Sequence, residues 1–283
     1  MEQKYIKSPM NYIGGKYKLL PQIINYFPED IDSFVDLFAG GLDVGINVSA
    51  NNVFCNDINY FLIDIYKAFQ YCDIESLLAY IDNKILEYNL SKTNLDGYLK
   101  LRKDYNLTKY PLDLFVLVCY SFNHQLRFNS KHEFNTPFGK NRSSFNSSIR
   151  QNLIKFHDKV KKINFSCINF KDYDISDLSE GDFLYADPPY LITCGSYNDG
   201  KRGFEGWGEG DDVSLFEILD KVDSNGAKFA LSNVIEHKGQ INSNLLAWAK
   251  KYNVHQIDYN YNNSNYQTKN KMYQTKEVLI VNY

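Results

Sequence analysis

The run Gly181-Asp182-Phe183-Leu184-Tyr185-Ala186, followed by Asp187-Pro188-Pro189-Tyr190, constrains the fold of this chain more than any other stretch. A turn signal and then a short, continuous apolar segment read as a buried parallel strand. Two prolines end it. Each lacks an N–H and holds φ near one value, so the strand cannot continue and the carbonyls there point in set directions. An acid, a rigid carbonyl and an aromatic ring therefore meet at the carboxyl end of a strand, where open α/β sheets bind their ligands.

That set of groups suits an exocyclic amine on a nucleobase. The amine is conjugated with its ring, so its lone pair is a poor nucleophile. The Asp187 carboxylate and the Pro188 carbonyl offer acceptors for its two N–H groups, which favours a pyramidal nitrogen and stabilises positive charge during attack. Fixed dipoles of this kind lower a barrier by on the order of 3 kcal/mol per group. Tyr190 would stack on the base, worth roughly 1–3 kcal/mol. The plainer reading is a strand end with a proline turn and a capping Asp.

The rest of the chain reads as an interrupted α/β order. Helical patterns cover 17–27, 42–50 and 60–70, and strand-like runs cover 33–38 and 53–55. Three helical segments follow at 74–88, 95–106 and 112–122, then polar hairpin-like sequence at 126–142 and a basic helix at 149–162. Strand signals return at 163–169, 182–187, 227–232, 254–259 and 277–282. Strands alternating with helices imply a parallel sheet, with the helical block inserted between its second and third strands.

Two further clusters lie at predicted strand ends. Asp36-Leu37-Phe38-Ala39-Gly40-Gly41 puts a glycine turn directly after a strand, so backbone can approach a ligand with no Cβ in the way. Asp57 ends the next strand, where an acid can accept hydrogen bonds from ribose hydroxyls, and Ile58 beside it can pack on a purine. The glycine turn reads equally as a structural βα turn. Together with Asp57 and Asp187 it describes a nucleoside cofactor site. Asn11-Tyr12-Ile13-Gly14-Gly15-Lys16 precedes a predicted helix, whose N–H groups and Lys16 could receive a carboxylate; a surface turn is the alternative. Neither a Gly-x-Gly-x-x-Gly fingerprint nor a phosphate loop is present.

Composition sets wide bounds. The chain has 283 residues, 44% of them hydrophobic, which supports a substantial core. No run approaches the roughly 18 apolar residues that span a membrane. Five scattered cysteines without a Cys-x-x-Cys pair, and five histidines without ligand spacing, indicate neither a disulfide framework nor a metal site. The N-terminus has no apolar signal segment, so a reduced cytoplasmic compartment is expected. Net charge is only −3, but between Arg127 and Lys162 there are nine basic residues against two acids, Glu133 and Asp158. Such a stripe fits a phosphate-tracking surface, or a solvated face with no partner.

These segments resemble the ordered motifs of the DNA adenine methyltransferase (Dam) family, its phage branch above all. The resemblance rests on Pro9 to Lys16, Asp36 to Gly41, Asn56-Asp57-Ile58 and Asp187 to Tyr190, and it extends through Leu90 to Thr93, Leu101 to Asn106, Phe134 to Lys140 and Leu231 to Val234. It implies a Rossmann-like class I methyltransferase sheet of α/β class, built from residues 1–65 and 163–283. A helical and β-hairpin target-recognition domain over 66–162 would be inserted in it. It implies S-adenosylmethionine as methyl donor, N6 of adenine in double-stranded DNA as acceptor, and no metal. Tyr12, Lys16, Asp36, Phe38 and Gly40 would surround the methionine end of the cofactor. Asp57 would hold the ribose, Ile58 and Phe170 would sandwich the adenine, and Asp187, Pro188 and Tyr190 would hold a flipped target base.

Recognition is expected of Asn123, Gln125, Arg127, Asn129 and Pro137, with Lys140, Arg142 and Arg150 on phosphates. Arg127 matches a guanine-reading arginine of the family. Asn123 and Gln125 depart from the phage pattern, so the site could be GATC or a variant; these polar residues could also cap helix ends. The glycine-rich 195–210 segment, which includes Trp207, reads as a lid or as a surface insertion, and 260–275 as a long hairpin loop. An N4-cytosine enzyme, an RNA or protein amine methyltransferase and a DNA-binding subunit without catalysis remain alternatives. A restriction endonuclease acting separately is a possible partner.

Overall fold

The computed structural model describes residues 5–193, 206–258 and 275–283. In chain order its regular elements begin with α1 (Leu20–Ile23), β1 (Ser33–Asp36), β2 (Asn52–Asn56) and α2 (Tyr60–Tyr71). A helical block follows, with α3 (Ile74–Glu87), α4 (Leu95–Thr108), α5 (Pro111–Tyr120) and α6 (Ser147–Val160). Then come β3 (Ile163–Ser166), β4 (Phe183–Ala186), α7 (Glu209–Ser224), β5 (Lys228–His237), β6 (Gln240–Ile241), α8 (Ser243–Ala249), β7 (Asn253–Ile257) and β8 (Lys276–Val281).

Among the described residues the strands form one sheet in the order β3-β2-β1-β4-β5-β8-β7, with short β6 paired to β5. The first five of that path are parallel, while β8 runs antiparallel to both β5 and β7. From β1 the chain moves outward through β2 to β3, then crosses back to β4 on the other side. The crevice between the carboxyl ends of β1 and β4 is thus the topological switch point, where such sheets bind ligands. This is the α/β architecture expected from the alternating pattern, with the helical block between β2 and β3, but the antiparallel β8 departs from the expected parallel sheet.

Alternate residues of each central strand enter opposite cores, as a two-residue period requires. Val35, Leu184, Phe229, Leu231 and Ile280 face Leu215, Phe216, Leu219 and Val222 of α7, with Leu245 and Trp248 of α8. Phe34, Phe183, Tyr185, Ala230 and Leu279 face Leu20 and Ile23 of α1, with Val44 and Val48. A third core holds the helical block together. At its centre lies α5, buried on every side from Leu112 to Tyr120 and opened by Pro111 at a position where no N–H is needed. Each fully buried Phe or Leu in these cores contributes roughly 1.5–3 kcal/mol.

Three expectations change. The 17–27 helix shrinks to α1 and one 3-10 turn ending before Pro28. The 42–50 segment forms successive turns and no helix. Leu42 has φ 63°, the Asp43 side chain accepts from the Tyr17 N–H, and Asn47 Nδ2 donates to the Asp43 carbonyl, so side chains take the place of a helical ladder. The 126–142 stretch is an irregular reversal, with isolated bridges Phe128–Phe134 and Ser121–Phe138 in place of a regular hairpin. Helices α7 and α8 were not anticipated. Residues 195–205 of the expected lid and 260–274 of the expected loop lie outside the described residues.

Candidate active site

Strand register brings the predicted acids to one edge. Asp36 of β1 is level with Cys55 of β2 and Tyr185 of β4. Asp57 and Asp187 each lie two residues further along their strands, at the same carboxyl edge. Pro188 is buried and Pro189 exposed, so the proline turn leaves the sheet immediately beyond Asp187.

Asp187 is held at both oxygens. Lys16 Nζ lies 2.8 Å from Oδ2, and the Tyr190 hydroxyl donates to Oδ1 at 2.8 Å. Lys16 is buried, donates also to the Gly14 carbonyl at 3.0 Å, and its ammonium stands 5.2 Å from the Tyr190 ring centre. Burial by itself would lower the pKa of Lys16; the Asp187 and Glu277 carboxylates outweigh it and raise the pKa, so the ammonium stays charged. Sequence reasoning set Lys16 beside the carboxylate of a cofactor. The structure aims its charge at Asp187 and Glu277.

Glu277 went unread. It is 4% exposed at the start of β8, with Oε1 3.2 Å from the Tyr190 hydroxyl and 3.8 Å from Lys16 Nζ. The available signal was a carboxylate opening an otherwise apolar strand, Val278 to Val281.

Across the crevice, Asp36 is buried at 2% exposure. Its Oδ2 accepts the Gly45 N–H at 3.2 Å, while Oδ1 has no hydrogen-bond partner among the described residues. Burial, then the Asp187 charge, pushes its carboxyl up to about 8. Asp57 closes the glycine turn: Oδ2 accepts from the Gly40 N–H and Oδ1 from the Asn59 N–H, both at 2.8 Å. Burial, against these two hydrogen bonds, raises its pKa from the ordinary carboxylate value. Gly40 has φ +45°, and a Cβ there would meet the Tyr12 ring at 3.1 Å, so Tyr12 lies directly over the turn. The Tyr66 hydroxyl donates to the Gly40 carbonyl from below at 2.8 Å.

The aromatic wall has three rings. Phe38 and Phe170 are 5.3 Å apart, and Trp207 lies 5.6 Å from the first and 5.1 Å from the second, anchored by Nε1–H donating to Asp212 at 2.7 Å. Ile58 is 50% exposed and available for a planar ligand. An orphaned buried acceptor at Asp36, a Cβ-free turn under Tyr12, a carboxylate at Asp57 and an apolar wall fit the amine, main-chain, ribose and purine parts of an adenosyl amino acid.

The expected DNA-reading residues lie on the irregular reversal. Asn123 has φ 55°, and its carbonyl accepts from Asn11 Nδ2 at 2.9 Å. Asn11, Tyr12, Asn123, Gln125 and Arg142 line a cleft of about 530 Å³. Arg127 donates from Nε to Asn135 at 3.3 Å. Asn129 shapes its turn by accepting the N–H groups of Lys131 and Glu133. Pro137 and Lys140 are exposed, Arg142 stacks over Phe122, and Arg150 is paired with Asp82. Among the described residues no group of three or more His, Cys, Asp or Glu side chains could hold a metal ion, and no helix is long and apolar enough to cross a membrane.

Known proteins are similar to this chain in sequence. The Type II methyltransferase M.FokI of Planomicrobium okeanokoites is 48% identical over 281 residues, which is 99% of this chain and 43% of that protein. The modification methylase StsI of Streptococcus sanguinis is 50% identical over 285 residues, again 99% and 43%. A DNA adenine methylase of Salmonella typhi is 26% identical over 228 residues, 79% of each chain. The chain thus spans less than half the length of the first two relatives. The profile of the family described as D12 class N6 adenine-specific DNA methyltransferase matches residues 12–273. The chain belongs to that family.

Proposed function

We propose that this protein transfers a methyl group from S-adenosylmethionine to N6 of an adenine flipped out of double-stranded DNA at a short specific site. The observation that carries the proposal is Asp187-Pro188-Pro189-Tyr190 at the switch-point end of β4, with Asp187 gripped by Lys16 and Tyr190. S-adenosylmethionine, when bound, supplies an electrophilic methyl on a sulfonium. Asp36 receives the amine of the methionine end, with Tyr12, Phe38 and Gly40 around it. Asp57 accepts from the ribose, each of its oxygens keeping a second lone pair beyond the backbone hydrogen bond. Ile58 and Phe170 flank the adenine. Asp187 and the Pro188 carbonyl bind the target amine, align its lone pair with the methyl, and stabilise the charge that grows on nitrogen. Tyr190 stacks on the base and offsets part of the few kcal/mol that flipping costs.

Residues 1–65 and 163–283 would form the catalytic unit, and 66–162 the target-recognition unit, with Asn123, Gln125, Arg127, Asn129 and Pro137 toward bases. Lys140 and Arg142 would track phosphates. Arg150 would do so only by leaving Asp82. The names of the relatives, a Type II methyltransferase and a modification methylase, favour a protective role in the bacterial cytoplasm beside a separately acting restriction endonuclease.

Expression in a host lacking adenine methylation, followed by single-molecule sequencing for N6-methyladenine, tests this reading. One motif methylated by the wild type and lost with Asp187→Ala is the expected result. Methylation at GATC would show that Asn123 and Gln125 leave the family's site unchanged, and another motif would assign the difference to them. No methylated adenine with the wild type would overturn the reading.

A further inference from the structure

Both oxygens of Asp187 are engaged in the resting protein, so an incoming amine must share them with Tyr190 and Lys16. Asp187 Oδ1 accepts the Tyr190 hydroxyl and Oδ2 pairs with Lys16, both at 2.8 Å. A target amine also needs a lone pair of that carboxylate, directed at its N–H. The Tyr190 hydroxyl has one proton, and the structure places two carboxylate oxygens within its reach: Asp187 Oδ1 at 2.8 Å and Glu277 Oε1 at 3.2 Å. The same Glu277 oxygen stands 3.8 Å from Lys16 Nζ. Lys16 and Glu277 are buried and Asp187 and Tyr190 are partly buried, so water is a poor replacement for a lost partner.

We infer that Glu277 is a positioning residue for methyl transfer, the acceptor to which the Tyr190 hydroxyl and part of the Lys16 charge move when the target amine takes Asp187. The inference rests on the functional reading above. In this account Glu277 never touches the base. It lets Tyr190 keep its hydroxyl satisfied while the ring stacks, and it frees Asp187 Oδ1 without leaving a buried donor unpaired. Its place at the amino end of antiparallel β8, opposite Val234 of β5, delivers it to the carboxyl edge of the parallel strands.

The test compares wild type, Glu277→Ala, Glu277→Gln, Tyr190→Phe and the double variant Tyr190→Phe/Glu277→Ala. Single-turnover methylation of a duplex carrying the mapped site, with radiolabelled S-adenosylmethionine, gives the rate. Calorimetry gives cofactor affinity, and fluorescence of 2-aminopurine at the target position reports flipping. Glu277→Ala is expected to slow methyl transfer roughly 10- to 100-fold, the scale on which small misplacements act, with cofactor affinity nearly unchanged. Glu277→Gln, which keeps an acceptor for the hydroxyl, should recover most of the rate. In the Tyr190→Phe background, removal of Glu277 should cost far less than in the wild type. A Glu277→Ala rate equal to wild type, fully additive losses, or parallel loss of cofactor binding would overturn the inference while leaving the functional reading intact. An inactive wild type would overturn both.

Discussion

Four carboxylates, Asp36, Asp57, Asp187 and Glu277, converge on the switch-point crevice, and Asp36 has a strongly raised pKa. Its carboxyl is pushed up to about 8 from an ordinary 3.8, by burial first and by the Asp187 charge second. Between those values the folded protein therefore binds more protons at this site than the unfolded chain. The stability tied to that proton is fully present below about pH 4 and is lost as pH rises through about 8. Asp36→Asn keeps an acceptor for the Gly45 N–H and removes the titration. Thermal melts of the cofactor-free protein should show the variant gaining on the wild type between pH 4.5 and pH 8 by on the order of 4 kcal/mol, or roughly 8–16 °C. The same variant should bind S-adenosylmethionine more weakly at every pH, because the acceptor for its amine is gone. Legibility at this scale was uneven. Asp36, Asp57 and Asp187 were readable because each follows an apolar strand run. The raised pKa of Asp36 was not, because it depends first on burial in the folded protein and then on Asp187, 151 positions away in sequence.

At the scale of elements, local stiffness decided what could be read. Proline ended β4 where expected, and Pro111 opened α5. Helix α7 carried a readable start in Gly208 and the acids Glu209, Asp211 and Asp212, followed by Leu215, Phe216, Leu219 and Val222 at helical spacing. It was overlooked because it adjoins the glycine-rich stretch. The 42–50 segment misled in the opposite direction: its apolar spacing looks helical, but Asp43 and Asn47 bind backbone and Gly45 sits against Cys55, where a Cβ would lie 2.5 Å from the sulfur. The reversal after α5 is the element on which DNA readout would depend. Arg127→Ala should relax preference at one base position by about 1–3 kcal/mol while leaving the salt dependence of binding nearly unchanged. Lys140→Ala should weaken binding to all duplexes alike and reduce the slope of log affinity against log salt by about 1. Anisotropy titrations on matched and single-substituted duplexes over a salt series distinguish the two.

For the molecule as a whole, the irregular reversal after α5 is tied to its surroundings at several points. Phe128 stacks on Phe61 of α2 with ring centres 3.7 Å apart, the Tyr98 hydroxyl donates to the Thr136 carbonyl at 2.8 Å, and Asn11 reaches the Asn123 carbonyl. Asn11 adjoins Tyr12, which covers the Gly40 turn, so the reversal and the glycine turn are linked through two consecutive residues. Phe128 is buried, and Phe128→Ala should cost about 3–5 kcal/mol where the site cannot collapse. Denaturant melts measure that loss. Because the ring supports the reversal and not the crevice, DNA affinity should fall by roughly 10-fold or more, about 1.4 kcal/mol, with cofactor affinity held within about 2-fold by calorimetry.

The amino-acid order alone settled which residues end strands, where the helical block enters the sheet, and which strand ends carry acids and glycines. Those features follow from fixed φ at proline, Cβ-free turns and the two-residue period of burial, all of which act over a few neighbouring residues. Only the tertiary structure decided that Lys16 turns its charge on Asp187, that Trp207 completes the wall with Phe38 and Phe170, and that Glu277 joins the network around Tyr190. Each of those contacts spans a long stretch of chain and depends on strand direction. Glu277 reaches the carboxyl edge because β8 returns antiparallel to β5; in a parallel strand the same residue would lie at the opposite edge of the sheet.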